Sequence, residues 1–537
     1  MNMKKRKINW SVLLIVLFVT GLASCSTDRT REEKVSAIIG KIDSPFFVAN
    51  MSPGNIIEKS GVTDGALPYT QEMLLSFFID EEITGVDYDV DVQIVMGKGG
   101  GYTPNFYGIF KIKNELAFKD LLEAEANAEI NEKDGFSYAM KESDSYVVVW
   151  NDEFAVATSI PMDLAAMFSG GSKEGMKTVD KTIELIKSAE EGEINTEYQA
   201  FLENVSDISM RFKGEPFYEY MEEMSMGMND ELTTYKETFD GMSVDFFLNF
   251  TNGSVDLQVL ADLSDELREQ INFFNSDPVD SKLFAYGNSK NPMFTLAYNV
   301  DLTKGIDYTK GQMSDNEYNE LEEQLTEMGI DLENAKTGLT GDILFVVDRV
   351  DVKTEIIDWG YGDPYESKQP SPIFGLILGI EDVTVLTSLL EASDSIGEGV
   401  MKKGDAFLVI ADEVLFSTND SLWAVKVKNG GATAVSDRDG VLSSEPFALF
   451  LDFIQVDAMD DLDEAEAIVN ELKALKLTGN IDEMNFSLMM SDDSRNALRI
   501  LTETIGGLSE GEGSGEEYEN LRNELDEAAA ETESIEN

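Results

Sequence analysis

The apolar positions of this chain fall into two rhythms. Strict alternation, as in Val90-Asp91-Val92-Gln93-Ile94, recurs in short runs and predicts strands with one buried and one wet face, the usual state of antiparallel sheets. Helical spacing separates them. Val179, Ile183 and Ile186 share one face, as do Leu263, Leu267, Ile271 and Phe274, and again Tyr318, Leu321, Leu325 and Met328. Amphipathic helices over half-wet antiparallel sheets give an α+β fold.

The order of these elements repeats. Tyr107-Gly108-Ile109-Phe110 heads a strand and helix ending Leu121-Leu122-Glu123-Ala124, and Phe374-Gly375-Leu376-Ile377 heads a similar segment ending Leu389-Leu390-Glu391-Ala392. Downstream, β-rich runs flank Asn151-Asp152 in one place and Ala411-Asp412 in the other, each reading as a hairpin. Pro45-Phe46-Phe47 is echoed by Pro292-Met293-Phe294, and Glu215-Pro216-Phe217 by Glu445-Pro446-Phe447. The sequence therefore predicts two divergent tandem repeats, residues 38–278 and 283–508, each a mainly antiparallel sheet under amphipathic helices. The first carries a helical insertion near 159–205. Residues 509–537, rich in Gly, Ser, Glu and Ala, read as an acidic low-complexity tail.

The amino terminus follows a different pattern. Lys4-Lys5-Arg6-Lys7 precedes the apolar run Val12 to Val19, which is too short to span a bilayer, and Leu22-Ala23-Ser24-Cys25 follows. This looks like a lipoprotein signal peptide over 1–24, with Cys25 as the lipidated residue and 25–37 as a tether. Two or more acyl chains give stable anchoring. Ser26 in place of Asp points to the outer membrane, and Ser26-Thr27-Asp28-Arg29 leaves the periplasmic and surface faces equally open. Cys25 is the sole cysteine, so stability comes from a core and not from disulfides.

Composition narrows the chemistry. Lys and Arg number 41 against 103 Asp and Glu, a net charge of −62, which argues against nucleic acid and anionic lipid surfaces as partners. Histidine is absent, which removes the commonest general base and the commonest zinc ligand. Gly507-Leu508-Ser509-Glu510-Gly511 fits the serine-hydrolase pattern but lacks a histidine and its strand-to-helix context. Asp87, Asp89 and Asp91 alternate, and oxygen-rich sites of that sort can hold Ca2+. A solvated acidic face explains them more simply.

The opening Ile42-Asp43-Ser44-Pro45-Phe46-Phe47-Val48-Ala49-Asn50-Met51, with the Cys25 motif and the acidic body, resembles a group of large Bacteroidetes envelope lipoproteins known only as a domain of unknown function. The resemblance implies a Gram-negative envelope location and carries no catalytic or binding residues. One feature bears on function directly. A Gly-, Pro- and aromatic-rich loop precedes the same strand in both copies, with Tyr102 and Phe106 in one and Trp359, Tyr361 and Tyr365 in the other. Exposed aromatics on loops are typical of binding surfaces. The expectation is a non-catalytic, membrane-anchored envelope protein that binds a protein or glycan through these paired loops, with no required cofactor. A carrier of an apolar ligand and a carboxylate- or calcium-dependent hydrolase are the alternatives.

Overall fold

The computed structural model describes residues 29–64, 81–99, 103–124, 128–141, 146–160, 172–225, 236–273, 277–327, 332–357, 365–386, 393–397, 399–438, 440–456 and 466–511. Within them, helices combine with one antiparallel sheet of 20 strands, the α+β class expected. The first ten strands are β1 Phe47–Met51, β2 Val92–Gly97, β3 Asn105–Phe110, β4 Glu129–Lys133, β5 Phe136–Lys141, β6 Tyr146–Trp150, β7 Ala155–Ser159, β8 Ile208–Lys213, β9 Ser243–Thr251 and β10 Ser254–Asp262. The second ten are β11 Phe294–Asn299, β12 Leu339–Ile357, β13 Tyr365–Ile380, β14 Asp394–Gly397, β15 Val400–Lys403, β16 Ala406–Ala411, β17 Val414–Thr418, β18 Phe447–Asp452, β19 Leu472–Gly479 and β20 Glu483–Met490.

Strand pairing gives the lateral order β4-β5-β6-β7-β3-β2-β1-β8-β9-β10 for the first set. The second set pairs in the order β14-β15-β16-β17-β13-β12-β11-β18-β19-β20, which is the first order with ten added to every strand. A single antiparallel seam between β10 and β20, from Ser254↔Met489 to Leu260↔Glu483, joins the two arrays.

Local chemistry accounts for the tightest turns. Asp134-Gly135 links β4 to β5 with φ of 52° and 84°, the left-handed pair that a two-residue hairpin favours. The predicted hairpins at Asn151-Asp152 and Ala411-Asp412 both form, as β6–β7 and β16–β17.

Three helices cover one face of the first array: α1 Arg31–Lys41, α2 Ser172–Glu191 and α3 Thr196–Leu202. Val35, Ile38 and Ile39 of α1 and Val179, Ile183 and Ile186 of α2 pack with Val48, Val95, Ile109 and Val156 from the sheet. The predicted tether over 25–37 therefore ends early. From Arg31 the chain is helical, started by a capping box in which Thr30 and Glu33 satisfy each other's backbone amides. In the second array the same sheet face packs under α4 Ser421–Lys428, with Trp423, Ala424 and Val427 against Leu344, Val346, Ile377 and Phe416. Helix α5, Ala497–Gly511, packs its Ala497 and Ile500 with Met490 near the seam. Residues 509–511 belong to this helix and not to the tail, and the Gly507–Gly511 motif lies within it rather than on a strand-to-helix elbow.

Candidate functional site

The β12–β13 hairpin is far longer than its counterpart β2–β3. β12 pairs with β11 only over Asp342–Val347, and β13 with β17 only over Gly375–Thr418 to Gly379–Val414. Beyond a register shift at Val347/Arg349, β12 and β13 continue together through eight further pairs, from Val350↔Pro372 to Ile357↔Tyr365. Those eight pairs form a two-stranded arm of roughly 26 Å at the usual rise of a strand. Neither strand of the arm has a third-strand partner among the described residues. Ile356, near its end, is 70% exposed.

The base of the arm is fixed by polar contacts. Arg349 donates to Asp351 at 2.9 Å and to Asp348 at 3.1 Å, and approaches Asp420 at 4.0 Å. The hydrogen bond to Asp351 is the chief influence raising the Arg349 guanidinium above its ordinary value, against partial burial. Asn419 donates from its amide to the Pro372 carbonyl at 2.8 Å and accepts from the Phe374 backbone N–H at 3.1 Å. These bonds clamp the point where the ribbon leaves the sheet.

Trp359 and Tyr361 fall in the seven-residue connection at the tip, 358–364, outside the described residues. Tyr365 begins β13, opposite Ile357. The second aromatic loop is thus shorter than the sequence suggested, because 365–372 is strand. Its alternation was visible on the other side of the hairpin, in Val350-Asp351-Val352-Lys353-Thr354-Glu355-Ile356. In the first array Phe106 lies in β3 opposite Met96 and is 48% exposed, while Tyr102 is outside the described residues, as is Cys25.

Nine antiparallel steps separate β2 from β12 in the lateral order, and an odd number of reversals makes these strands run oppositely. The β2–β3 and β12–β13 hairpins lie about 43 Å apart measured along the sheet. The first array carries the short β2–β3 loop and the second the long β12–β13 arm.

Asp87, Asp89 and Asp91 do not share one site. They precede β2 in a turn and do not share a strand. Lys111 reaches Asp87 at 2.8 Å and Lys113 reaches Asp89 at 3.1 Å, while Asp91 accepts from Asn50 at 3.0 Å and from Ser52 at 2.5 Å. Each carboxylate is matched to its own donors, an arrangement of structural ion pairs and hydrogen bonds. Among the described residues no group of three or more Asp, Glu, Cys or His is placed to hold a metal ion.

No family model and no curated protein matches the chain. Among solved structures, the protein in "Structure of crystal form III of TP0453" aligns at 8% identity and a TM-score of 0.26 over 45% of this chain and 87% of that one. Crystal form IV of the same protein aligns at 9% identity and a TM-score of 0.25, over 42% and 79%. Likeness at that level carries no argument about fold or function.

Proposed function

We propose that this chain is a non-catalytic binding protein of the Gram-negative envelope, held to the outer membrane by lipid on Cys25 and built from two divergent copies of one ten-strand unit. The matching order of pairings in the two arrays supports the duplication, together with the sequence echoes at Pro45/Pro292 and Glu215/Glu445. The amino-terminal charge cluster, apolar run and Leu-Ala-Ser-Cys motif support the anchor.

The observation that carries the binding reading is the free-standing arm. Isolated two-stranded ribbons are marginally stable in water, so a chain gains little by extending one unless it meets something. Pro370 and Pro372 stand in β13, and prolines are tolerated in a strand only where the missing donor would face away from the ladder. That edge is poorly equipped to take another strand. The β12 edge, with Val350 to Ile357, carries no proline and is suited to strand addition by an extended polypeptide. The tip aromatics Trp359 and Tyr361 then supply contact area at small entropic cost. A protein partner is thereby favoured over a glycan at this arm.

Replacing Trp359 and Tyr361 by Ala tests the reading. Affinity capture from the native envelope should lose its specific protein partners, with the melting temperature unchanged. Recovery of the same partners by the double variant would sink it.

A further inference from the structure

Among the described residues, the sheet face that the helices cover at both ends is bare of helix at the seam. The register sets two rows of side chains across β19, β20, β10 and β9 on this face. One row is Lys476, Ser487, Asp256 and Asn249, and the next is Thr478, Asn485, Gln258 and Phe247. Phe247 belongs to the core of the first array, and Phe450, opposite Lys476 on β18, to the core of the second. Seven polar side chains thus stand together on this face, midway between two cores. A cavity of about 380 Å³ lies over them, walled on one side by Gly440, Val441 and Ser444. That falls within the size range of small-molecule sites, about 300–1,000 Å³.

The polar groups are held in place. Asp256 accepts from Ser254 at 2.6 Å, from Ser487 across the seam at 2.6 Å and from Thr251 at 3.3 Å. Glu483 accepts from the amides of Gln258 at 2.8 Å and Asn485 at 3.0 Å, which leaves both amide carbonyl oxygens as acceptors. Among the described residues the side chains of Asn249, Lys476 and Thr478 make no hydrogen bond or ion pair, although all three line the cavity. Unused donors and acceptors therefore stand beside a carboxylate whose orientation is already fixed.

Charge and geometry select the ligand class. Asp256 and Glu483 outnumber the single Lys476, which disfavours an anion. The lone pairs of Asp256 are engaged by three hydroxyls and a lysine shares the site, which disfavours a metal ion. An apolar ligand would strand the polar groups at a cost of about 1–3 kcal/mol each. A neutral, hydroxyl-rich ligand fits, because each hydroxyl both donates and accepts and so pairs with the open amide oxygens of Gln258 and Asn485, the Asn249 amide and the Lys476 ammonium alike. The row of four strands spans roughly 14 Å, about two sugar rings. We propose that this trough binds a neutral oligosaccharide, at a site separate from the arm.

The full chain, screened on an array of neutral oligosaccharides and titrated calorimetrically with the best of them, tests this. At least one should bind with a dissociation constant of about 1 mM or tighter. Asn249→Ala and Lys476→Ala should each weaken it by about tenfold with the melting temperature unchanged. The Trp359/Tyr361 double variant should bind the sugar as wild type does, so failure here is distinguishable from failure of the arm. No neutral glycan bound, equal binding by the trough variants, or tighter binding of an acidic trisaccharide such as trigalacturonate would overturn the proposal.

Discussion

A β-carbon added at Gly375 would lie 2.5 Å from Cη2 of Trp423, whose ring is fully buried and whose Nε1 donates to the Tyr286 carbonyl at 3.0 Å. One added at Gly108, the matching position of the first array, would meet only Ala157 at 4.0 Å. The two glycines look interchangeable in Tyr107-Gly108 and Phe374-Gly375, yet only the second is required by packing. Gly375→Ala should destabilise the fold by about 1–3 kcal/mol through overpacking, and Gly108→Ala should leave it within about 0.5 kcal/mol. Denaturant midpoints of the two variants measure the difference, and equal midpoints would refute it. The repeated glycine was legible in the sequence. Its reason was not, because Trp423 lies 48 positions further on and reaches Gly375 only through the fold.

At the scale of elements, what was missed follows from composition overriding pattern. Arg31-Glu32-Glu33-Lys34 reads as a solvated tether, and the short apolar set Val35, Ile38 and Ile39 behind it is easily overlooked. Yet those three are 1%, 0% and 0% exposed, between the sheet and α2. Ile38→Ala should therefore cost about 2–5 kcal/mol, and a thermal melt showing no change would return the segment to the role of a tether. In the arm, Ser367 to Pro372 reads as loop because prolines and polar residues hide the strand, although its partner's alternation was plain. The aspartates before β2 show the reverse error. Their alternation suggested one strand face, but a turn at 88–90 sends each to a different donor.

Across the whole molecule, local hairpins were readable and distant pairings were not. Nothing in Phe47–Met51 announces that it will sit between β2 and β8, because such partners are chosen by the collapse of the whole sheet. The seam belongs to this class too. Separated, each array would expose a nine- or eight-residue edge strand with unpaired backbone groups, β10 or β20, and exposed edges of that length recruit other strands. Residues 29–278 and 279–511 expressed alone should therefore self-associate, as light scattering after gel filtration would register. A stable monomer of either would show that the seam does not complete the edges.

The seam also bears on history. An antiparallel pairing of like strands is what a two-fold homodimer makes when its subunits meet edge to edge, each surface matched to itself. In a dimer of identical chains, any change on one side is forced on the other. Once both sides lie in one gene, that constraint lapses. If the chain arose in that way, one side was free to acquire the long helix Ser172–Glu191 and the other to draw a hairpin out into an arm. On the duplication reading, the asymmetry of this protein is what fusion made possible, and its specialised parts should be sought where the two copies differ most.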